Sequence, residues 1–273
     1  MKNIVLSYLF PVMLNAVPAF GHEVWIEPLE WQVSPQEEIK ADIFNGENFA
    51  GFALIWDGKA IERAEIWNDE QATGLKGRLG DRPALTPEKQ QEGLVTLLYE
   101  SGHRTVDYES YDKFASFILE KGHAPVLEQH AERRLSRTAI KEAYARFAKS
   151  LIQVGRDTGM DGFRGMEFEL VALTNPYLDT DAEEMTVQLY YQGELLPDNR
   201  ITVFERAADG SVSSTTLQTD QNGEASFSVI PGTEYLIDAV MLREPARALV
   251  VETRGAVWES LWASLTFKVP NVQ

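Results

Sequence analysis

Short runs of apolar residues that alternate with polar ones and stop at turn residues dominate this sequence. The first three are Val24 to Ile26, Ile39 to Phe44 and Phe52 to Trp56; Asn-Gly follows the second run and Asp-Gly the third. A period of two places successive side chains on opposite faces of a strand, and both dipeptides are strong hairpin signals. The pattern therefore predicts a mainly β fold.

The same pattern returns near the C-terminus. Asn175-Pro176 and an acidic stretch from Asp179 to Glu184 precede it, and from Met185 onward the chain reads as strands and turns. About seven such runs in roughly 100 residues are typical of an immunoglobulin-like sandwich. We therefore predict two β-sandwich domains, an N-terminal one over 22–178 and an immunoglobulin-like one over 179–273.

A helical period interrupts the first domain. From Ser110 to Lys121 apolar residues recur three or four positions apart, and Gly122 follows as a C-terminal cap. A similar spacing runs from Ser136 or Thr138 to Val154. The apolar residues of this second run are Ile140, Tyr144, Phe147, Ala148 and Leu151. The sequence thus predicts a two-helix insertion over about 110–154.

Residues 1–21 have the layout of a secretory signal peptide. Lys2 precedes an apolar run from Ile4 to Val17, which Pro11 interrupts, and small residues follow. This run is shorter than the about 20 apolar residues that span a bilayer. We expect a soluble, exported, periplasmic protein with no membrane span in the mature chain. Cleavage after Gly21 would leave His22 first, and cleavage after Ala19 would leave it third.

Composition restricts the function classes. The chain has no cysteine, which excludes disulfides and thiolate metal sites, and its formal net charge is −17. Such a charge repels nucleic acid and anionic membranes and attracts cations, although solubility alone is a sufficient reason for it. We expect no nucleic-acid partner.

A histidine at the start of a processed chain is a chemical clue. If His22 is first, its α-amine and its imidazole offer one ion two neutral nitrogen donors, which suit Ni, Co, Cu and Zn. If it is third, amine, amides and imidazole form a square-planar site of the kind that Cu(II) and Ni(II) favour. The competing interpretation is an exposed, frayed chain end. Trp25 and Ile26 behind it are expected to anchor the terminus in the sheet.

Three further histidines are weaker candidates. His103 begins a strand after a Ser-Gly turn and is the best second ligand. His123 and His130 flank a segment between the predicted helices and are seven residues apart. We select His22, His103 and His123 as candidate metal ligands, with a surface or loop role as the alternative for each of the last two. Carboxylates such as Asp57 could complete the site, but no spacing singles one out.

The sequence resembles a family of exported proteins, DUF4198. The resemblance lies in the segments 22–28, 114–122 and 142–151, in Glu169-Leu170-Val171 with Asn175-Pro176-Tyr177, and in 219–227 with Leu265-Thr266-Phe267. The family implies a role in periplasmic nickel or cobalt uptake and favours His22 as the first mature residue. Gly122-His123 departs from the family pattern, in which leucine follows the glycine, so His123 is not implied by it.

The resulting hypothesis is a periplasmic binding protein, not an enzyme. It would bind nickel or cobalt, or else copper or zinc, through His22 and pass the ion to a metal transporter or an outer-membrane receptor. Gly-x-Ser-x-Gly, HExxH and phosphate-binding glycine loops are absent from the sequence. One alternative is a structural or adaptor sandwich without a ligand. The other is a copper histidine-brace monooxygenase, which needs a second histidine facing His22.

Overall fold

The computed structural model describes residues 22–156, 158–178 and 184–271. Its first part contains β1 Glu23–Pro28, β2 Gln32–Val33, β3 Ala41–Glu47, β4 Ala50–Leu54, β5 Ile61–Asn68, β6 Gln71–Gly74, β7 Gly93–Ser101, β8 Arg104–Tyr108, α1 Tyr111–Glu120, α2 Pro125–Glu132 and β9 Ile140–Val154. Its second part contains β10 Phe168–Ala172, β11 Glu184–Tyr191, β12 Glu194–Leu195, β13 Arg200–Arg206, β14 Val212–Gln218, β15 Glu224–Ser228, β16 Glu234–Arg243, α3 Arg247–Glu252 and β17 Trp258–Lys268. The predicted mainly β class is confirmed.

A ten-stranded sheet forms the centre of the molecule. Its order is β14-β13-β16-β17-β9-β7-β5-β6, and β2 and β8 also pair with β9. The parallel β17–β9 pair runs from Trp258 opposite Glu142 to Thr266 opposite Ser150. Strands from both sides of the predicted boundary at 178/179 therefore share one sheet.

Two smaller sheets cover the two faces of the central sheet. A four-stranded sheet, β10-β11-β12 with β15 on β11, packs on one face through a large apolar cluster that includes Leu151, Leu170, Leu189 and Leu261. A three-stranded sheet, β1-β3-β4, packs on part of the other face around residues such as Ile26, Ile43 and Ile152. Strand β9 lies between both layers, so it is buried on both faces.

Helix α1 lies where the sequence predicts a helix. Ser110 is its N-cap, and the Ser110 hydroxyl accepts a hydrogen bond from the backbone nitrogen of Lys113 at 3.3 Å. The helix buries Phe114, Phe117 and Ile118 in a third cluster that contains Trp258 and Trp262. Gly122, with φ +84°, follows the helix in the left-handed conformation that glycine tolerates best.

The second predicted helix, from Ser136 or Thr138 to Val154, is wrong. Residues 140–154 form strand β9, and the second helix of the insertion is α2, at Pro125–Glu132. A strand buried on both faces has apolar residues at odd and even positions, so its spacing can imitate a helical face. The two-helix insertion therefore ends well before residue 154.

Parts of the predictions lie outside the described residues. The predicted signal peptide, 1–21, is one of them, and the first residues of the predicted C-terminal domain, 179–183, are another. Among the helices that the structure describes, none is long and apolar enough to cross a membrane.

Candidate functional site

His22 lies at the start of an anchored strand. Trp25 and Ile26 are almost completely buried, and the Trp25 ring stacks on Phe44 with centroids 5.5 Å apart. The side chain of His22 is 37% exposed, and its Nε2 lies 3.7 Å from Glu47 Oε1 on strand β3. The expected anchoring of this segment by Trp25 and Ile26 is confirmed.

A cavity of about 340 Å³ opens beside His22. It lies between the three-stranded sheet and the β7-β8-β9-β17 part of the central sheet. Its lining residues are His22, Val24, Asn45, Leu54, Tyr99, Ser101, Arg104, Val106, Tyr108, Glu142, Tyr144, Arg146 and Trp262. This volume is in the range of small-molecule sites, and the lining combines aromatic walls with a few polar groups, as such sites do.

Glu142, on strand β9, is one wall of this cavity and is fixed by hydroxyl groups. Tyr108 Oη donates to Glu142 Oε2 at 2.7 Å, and the Ser260 hydroxyl donates to Oε1. The Trp262 indole in turn donates to Ser260 Oγ at 2.9 Å. Burial raises the pKa of Glu142, while both hydroxyl donors favour its charged form. Both carboxylate oxygens already have donors, so Glu142 is held in one orientation.

Arg146, two residues further along β9, also faces the cavity, and its guanidinium is stacked rather than hydrogen-bonded. Its Cζ lies 3.9 Å from the centroid of the Trp262 ring and 4.8 Å from that of Tyr144. Arg146 is only 6% exposed, and its Nε and Nη1 find no hydrogen-bond partner among the described residues. Burial lowers its pKa. Burying a guanidinium whose N–H donors have no acceptor costs free energy of folding, and an acceptor bound in the cavity would offset this cost.

A second buried charge cluster holds the start of β1. Lys121 Nζ lies 2.7 Å from Glu23 Oε1 and 3.5 Å from Asp238 Oδ2, and all three side chains are buried. Burial raises the pKa of Asp238 to about 6. Lys121 also lies 4.7 Å from the Trp262 ring centroid. Because Glu23 follows His22 directly, this ion pair fixes the backbone on which His22 is carried.

His103 does not line the His22 cavity. Its Nε2 donates to Glu259 Oε1 at 3.0 Å, and Arg243 forms two further hydrogen bonds to the same carboxylate. The hydrogen bond to Glu259 raises the pKa of His103. Burial alone would raise the pKa of Glu259, but the hydrogen bonds from His103 and Arg243 bring it down to about 2. The structure therefore places His103 in an ion-pair network.

His123 and His130 also lie apart from this cavity. Nε2 of His123 donates to the Val240 carbonyl oxygen at 2.8 Å, and burial lowers the pKa of this histidine. His130 is buried in the aromatic cluster, where its Nδ1 accepts from the Trp258 indole and its Nε2 donates to Ser136 O. The structure thus does not bring His103 or His123 together with His22.

At the cavity, His22 and Glu47 place an imidazole and a carboxylate side by side. In the described part of the chain, no group of three or more His, Cys, Asp or Glu side chains is placed to hold a metal ion. An imidazole and a carboxylate fit nickel, cobalt or zinc, but they supply only two donors. A processed His22 would add its α-amine as the third. Asp57, which was named as a carboxylate that could complete the site, caps a turn instead. Its Oδ1 accepts a hydrogen bond from Lys59 N at 3.0 Å.

Glu47, Glu142 and Arg146 are not among the site residues predicted from the sequence. A usable signal was present, because Glu142-Ala143-Tyr144-Ala145-Arg146 alternates with a period of two. In a strand this alternation places the three large side chains on one face, and all three line the cavity. In the predicted helix, the same three residues would not share one face.

The fold and site define a mainly β protein in which an anchored histidine and a buried arginine share one cavity. Residues 19–243 match the family model described as a domain of unknown function, DUF4198, and the chain belongs to that family. No curated protein matches the sequence.

Comparison with solved structures gives only distant similarity. A tetra-tandem repeat from the extending region of a large adhesion protein has 9% identity and a TM-score of 0.20, with 89% of this chain and 49% of that chain covered. The D0-D1 domain of Intimin has 13% identity and a TM-score of 0.22, with coverage of 89% and 97%. Salmonella alpha-2-macroglobulin reacted with methylamine has 9% identity and a TM-score of 0.23, with coverage of 92% and 15%. The chain spans about half of the adhesion-protein structure.

Proposed function

We propose that this protein binds a transition-metal ion, nickel or cobalt in first place and copper or zinc in second, at His22. The ion is its cargo. The observation that carries the proposal is the position of the His22 imidazole at a cavity mouth, with Glu47 Oε1 3.7 Å from its Nε2. Export would remove residues 1–21 and supply the α-amine, which gives an amine, an imidazole and a carboxylate as donors.

The anchoring of strand β1 supports this proposal. A ligand on a frayed terminus loses conformational entropy on binding, whereas one on a fixed strand loses little. Trp25, Ile26 and the Lys121–Glu23 pair hold the strand immediately behind His22. In this role the protein is periplasmic, performs no reaction and delivers the ion to a transporter or an outer-membrane receptor.

Calorimetric titration of the chain beginning at His22 with Ni, Co, Cu and Zn tests the proposal. We expect a dissociation constant below about 10 μM for at least one ion. His22→Ala should abolish binding and Glu47→Gln should weaken it. His103→Ala is the matched control, because its imidazole bonds Glu259 away from the cavity, and it should bind as the wild type does. Binding that is unchanged in His22→Ala would remove the proposal.

The two alternatives make different predictions. A copper histidine brace requires a second imidazole beside His22, and His22 is the one histidine that lines the cavity within the described ranges. This observation favours binding over oxygen chemistry. An adaptor without a ligand predicts a melting temperature that does not change with metal, whereas a metal that binds only the folded state must raise it.

A further inference from the structure

Binding of a metal ion gives a role to His22 but not to the residues that line the interior of the cavity. The inner wall carries the guanidinium of Arg146, and Arg104 also lines the cavity. These two guanidinium groups outnumber the one carboxylate of the lining, Glu142, so the cavity interior favours an anion over a free cation. The chain as a whole has a formal charge of −17, so cationic groups gathered in one cavity stand out against the rest of the molecule.

The geometry of Arg146 indicates what it would bind. Its π face is used by Trp262, which leaves the N–H groups at the edge of the guanidinium as unused donors. The carboxylate of Glu142 hydrogen-bonds Tyr108 and Ser260, and those of Glu23 and Asp238 face Lys121. Among the described residues, none of these carboxylates hydrogen-bonds the Arg146 guanidinium, although Glu23 Oε2 also has no partner. A planar carboxylate is the group that best matches a guanidinium fork.

We propose that this cavity binds a small organic acid, with a carboxylate on Arg146 and its carbon skeleton against Tyr99 and Tyr144. The volume of about 340 Å³ accommodates a molecule of this size. The proposal does not depend on metal binding at His22. Two forms of the ligand would present the same carboxylate to Arg146: the free anion and a metal chelate of the same acid.

Calorimetric titration with succinate and with citrate tests this inference, using protein freed of metal on a chelating resin. We expect a dissociation constant below about 1 mM for at least one acid, and at least tenfold weaker binding in Arg146→Met. Arg164→Met is the matched control: Arg164 is also buried and stacked, 4.8 Å from the Trp67 ring centroid, but does not line the cavity. This control should bind as the wild type does.

A parallel titration in the presence of Ni²⁺ separates the two forms. Binding without the metal identifies the free acid as ligand, and binding only with the metal identifies the chelate; either supports the proposal if Arg146→Met removes it. Repeating the titration with His22→Ala keeps the two sites apart. Loss of metal binding in His22→Ala with retention of succinate binding would support both proposals as separate sites, whereas a wild type that binds succinate but no metal would end the metal proposal and leave this one intact.

Nitrogen NMR of the wild type covers the case in which Arg146→Met fails to fold. The Nε–Hε resonance of Arg146, assigned by comparison with Arg146→Lys, should shift on addition of succinate or citrate while that of Arg164 stays in place. Absence of any binding, an unchanged affinity in folded Arg146→Met, or binding of glucose in place of both acids would each overturn the proposal.

Discussion

At the scale of single residues, Lys149 carries its charge in the interior of the protein. Its Nζ lies 2.8 Å from Asp161 Oδ2 and 3.0 Å from Glu169 Oε1, and all three side chains are fully buried. Asp161 also accepts from the backbone nitrogen of Ala172, and Glu169 accepts from those of Arg164 and Met166. The loop 158–166, which has no regular secondary structure, is thereby fixed on the central sheet.

Lys149→Met should therefore be strongly destabilising. The change leaves two buried carboxylates without their counter-charge, a loss of about 3–5 kcal/mol in the free energy of unfolding. Urea denaturation followed by circular dichroism measures it. Lys40→Met is the matched control, because Lys40 is half exposed and pairs with exposed Glu38; it should stay within about 0.5 kcal/mol of the wild type. Equal losses of unfolding free energy in the two variants would contradict a stabilising role for the buried Lys149 ion pairs.

His103 should make stability depend on pH in one direction. The pKa of His103 is raised in the folded protein by Glu259, so the contribution of the pair is complete below the unfolded pKa of about 6.5 and is lost as pH rises through the folded value. Glu259 stays ionised over this range because its pKa is about 2.

The check is urea denaturation of the wild type and of His103→Gln at about pH 6 and about pH 9. The wild type should lose up to about 1 kcal/mol relative to the variant over this range, since the histidine is one-third exposed and solvent screens the pair. A difference that grows in the opposite direction would show that His103 is neutral in the folded protein.

At the scale of elements, β9 shows what local sequence can and cannot predict. The segment Lys141 to Leu151 is rich in Ala, Lys, Glu, Arg and Leu, all good helix formers. Its pairing with β7, β8 and β17 overrides this preference, because the strand is covered on both faces and joins the two halves of the sheet. The short strands β3 and β4 were predictable from their alternation, but the predicted turn at Asn45-Gly46 is wrong: these residues lie inside β3, and the chain turns at Asn48-Phe49. A central strand such as β9 depends on partners distant in sequence.

The candidate site likewise has a part that local sequence predicts and a part that depends on distant residues. Anchoring of His22 by Trp25 and Ile26 was predictable, because neighbours in sequence provide it. The cavity was not, because its lining comes from β1, β3, β4, β7, β8, β9 and β17, and no local pattern brings Val24 and Trp262 together. Glu47 in particular is placed by a hairpin whose pairing register sets which carboxylate meets His22.

The β3–β4 hairpin that carries Glu47 should tolerate no side chain at Gly46. Gly46 pairs with Gly51 across the hairpin and with Glu23 of β1. A Cβ at Gly46 would overlap the Ala50 carbonyl and the Gly51 Cα, so Gly46→Ala must separate the strands. We expect a loss of about 1–3 kcal/mol in stability.

Thermal denaturation measures this effect, and Gly74→Ala is its matched control. Gly74 ends the exposed strand β6, and a Cβ there meets nothing within 4 Å. The control should melt close to the wild type. If ligands bind at His22, Gly46→Ala should also weaken them, because Glu47 moves with the strand. Equal melting temperatures for the two variants would mean that the hairpin adapts without strain.

At the scale of the whole molecule, the shared sheet opposes the idea of two independent sandwiches. Strand β9 belongs to the predicted first domain and β17 to the second, yet nine residue pairs join them in register. The largest apolar cluster draws on β7 and β9 as well as on β11, β13 and β16. Separation at residue 178 would expose this cluster to water and leave one edge of β9 without a hydrogen-bonded neighbour.

Calorimetric unfolding of the chain from His22 should accordingly show one transition, with a calorimetric enthalpy equal to the van't Hoff enthalpy. The fragments 22–178 and 179–273, expressed separately, should lack a cooperative transition and bind hydrophobic dyes, because each keeps only part of the core around Leu261 and Leu151. Two resolved transitions, or a fragment that melts cooperatively by itself, would instead establish two folding units. In that event the β17–β9 pairing would be an interface between domains, and the His22 cavity, which Trp262 closes from the C-terminal half, would open whenever they part.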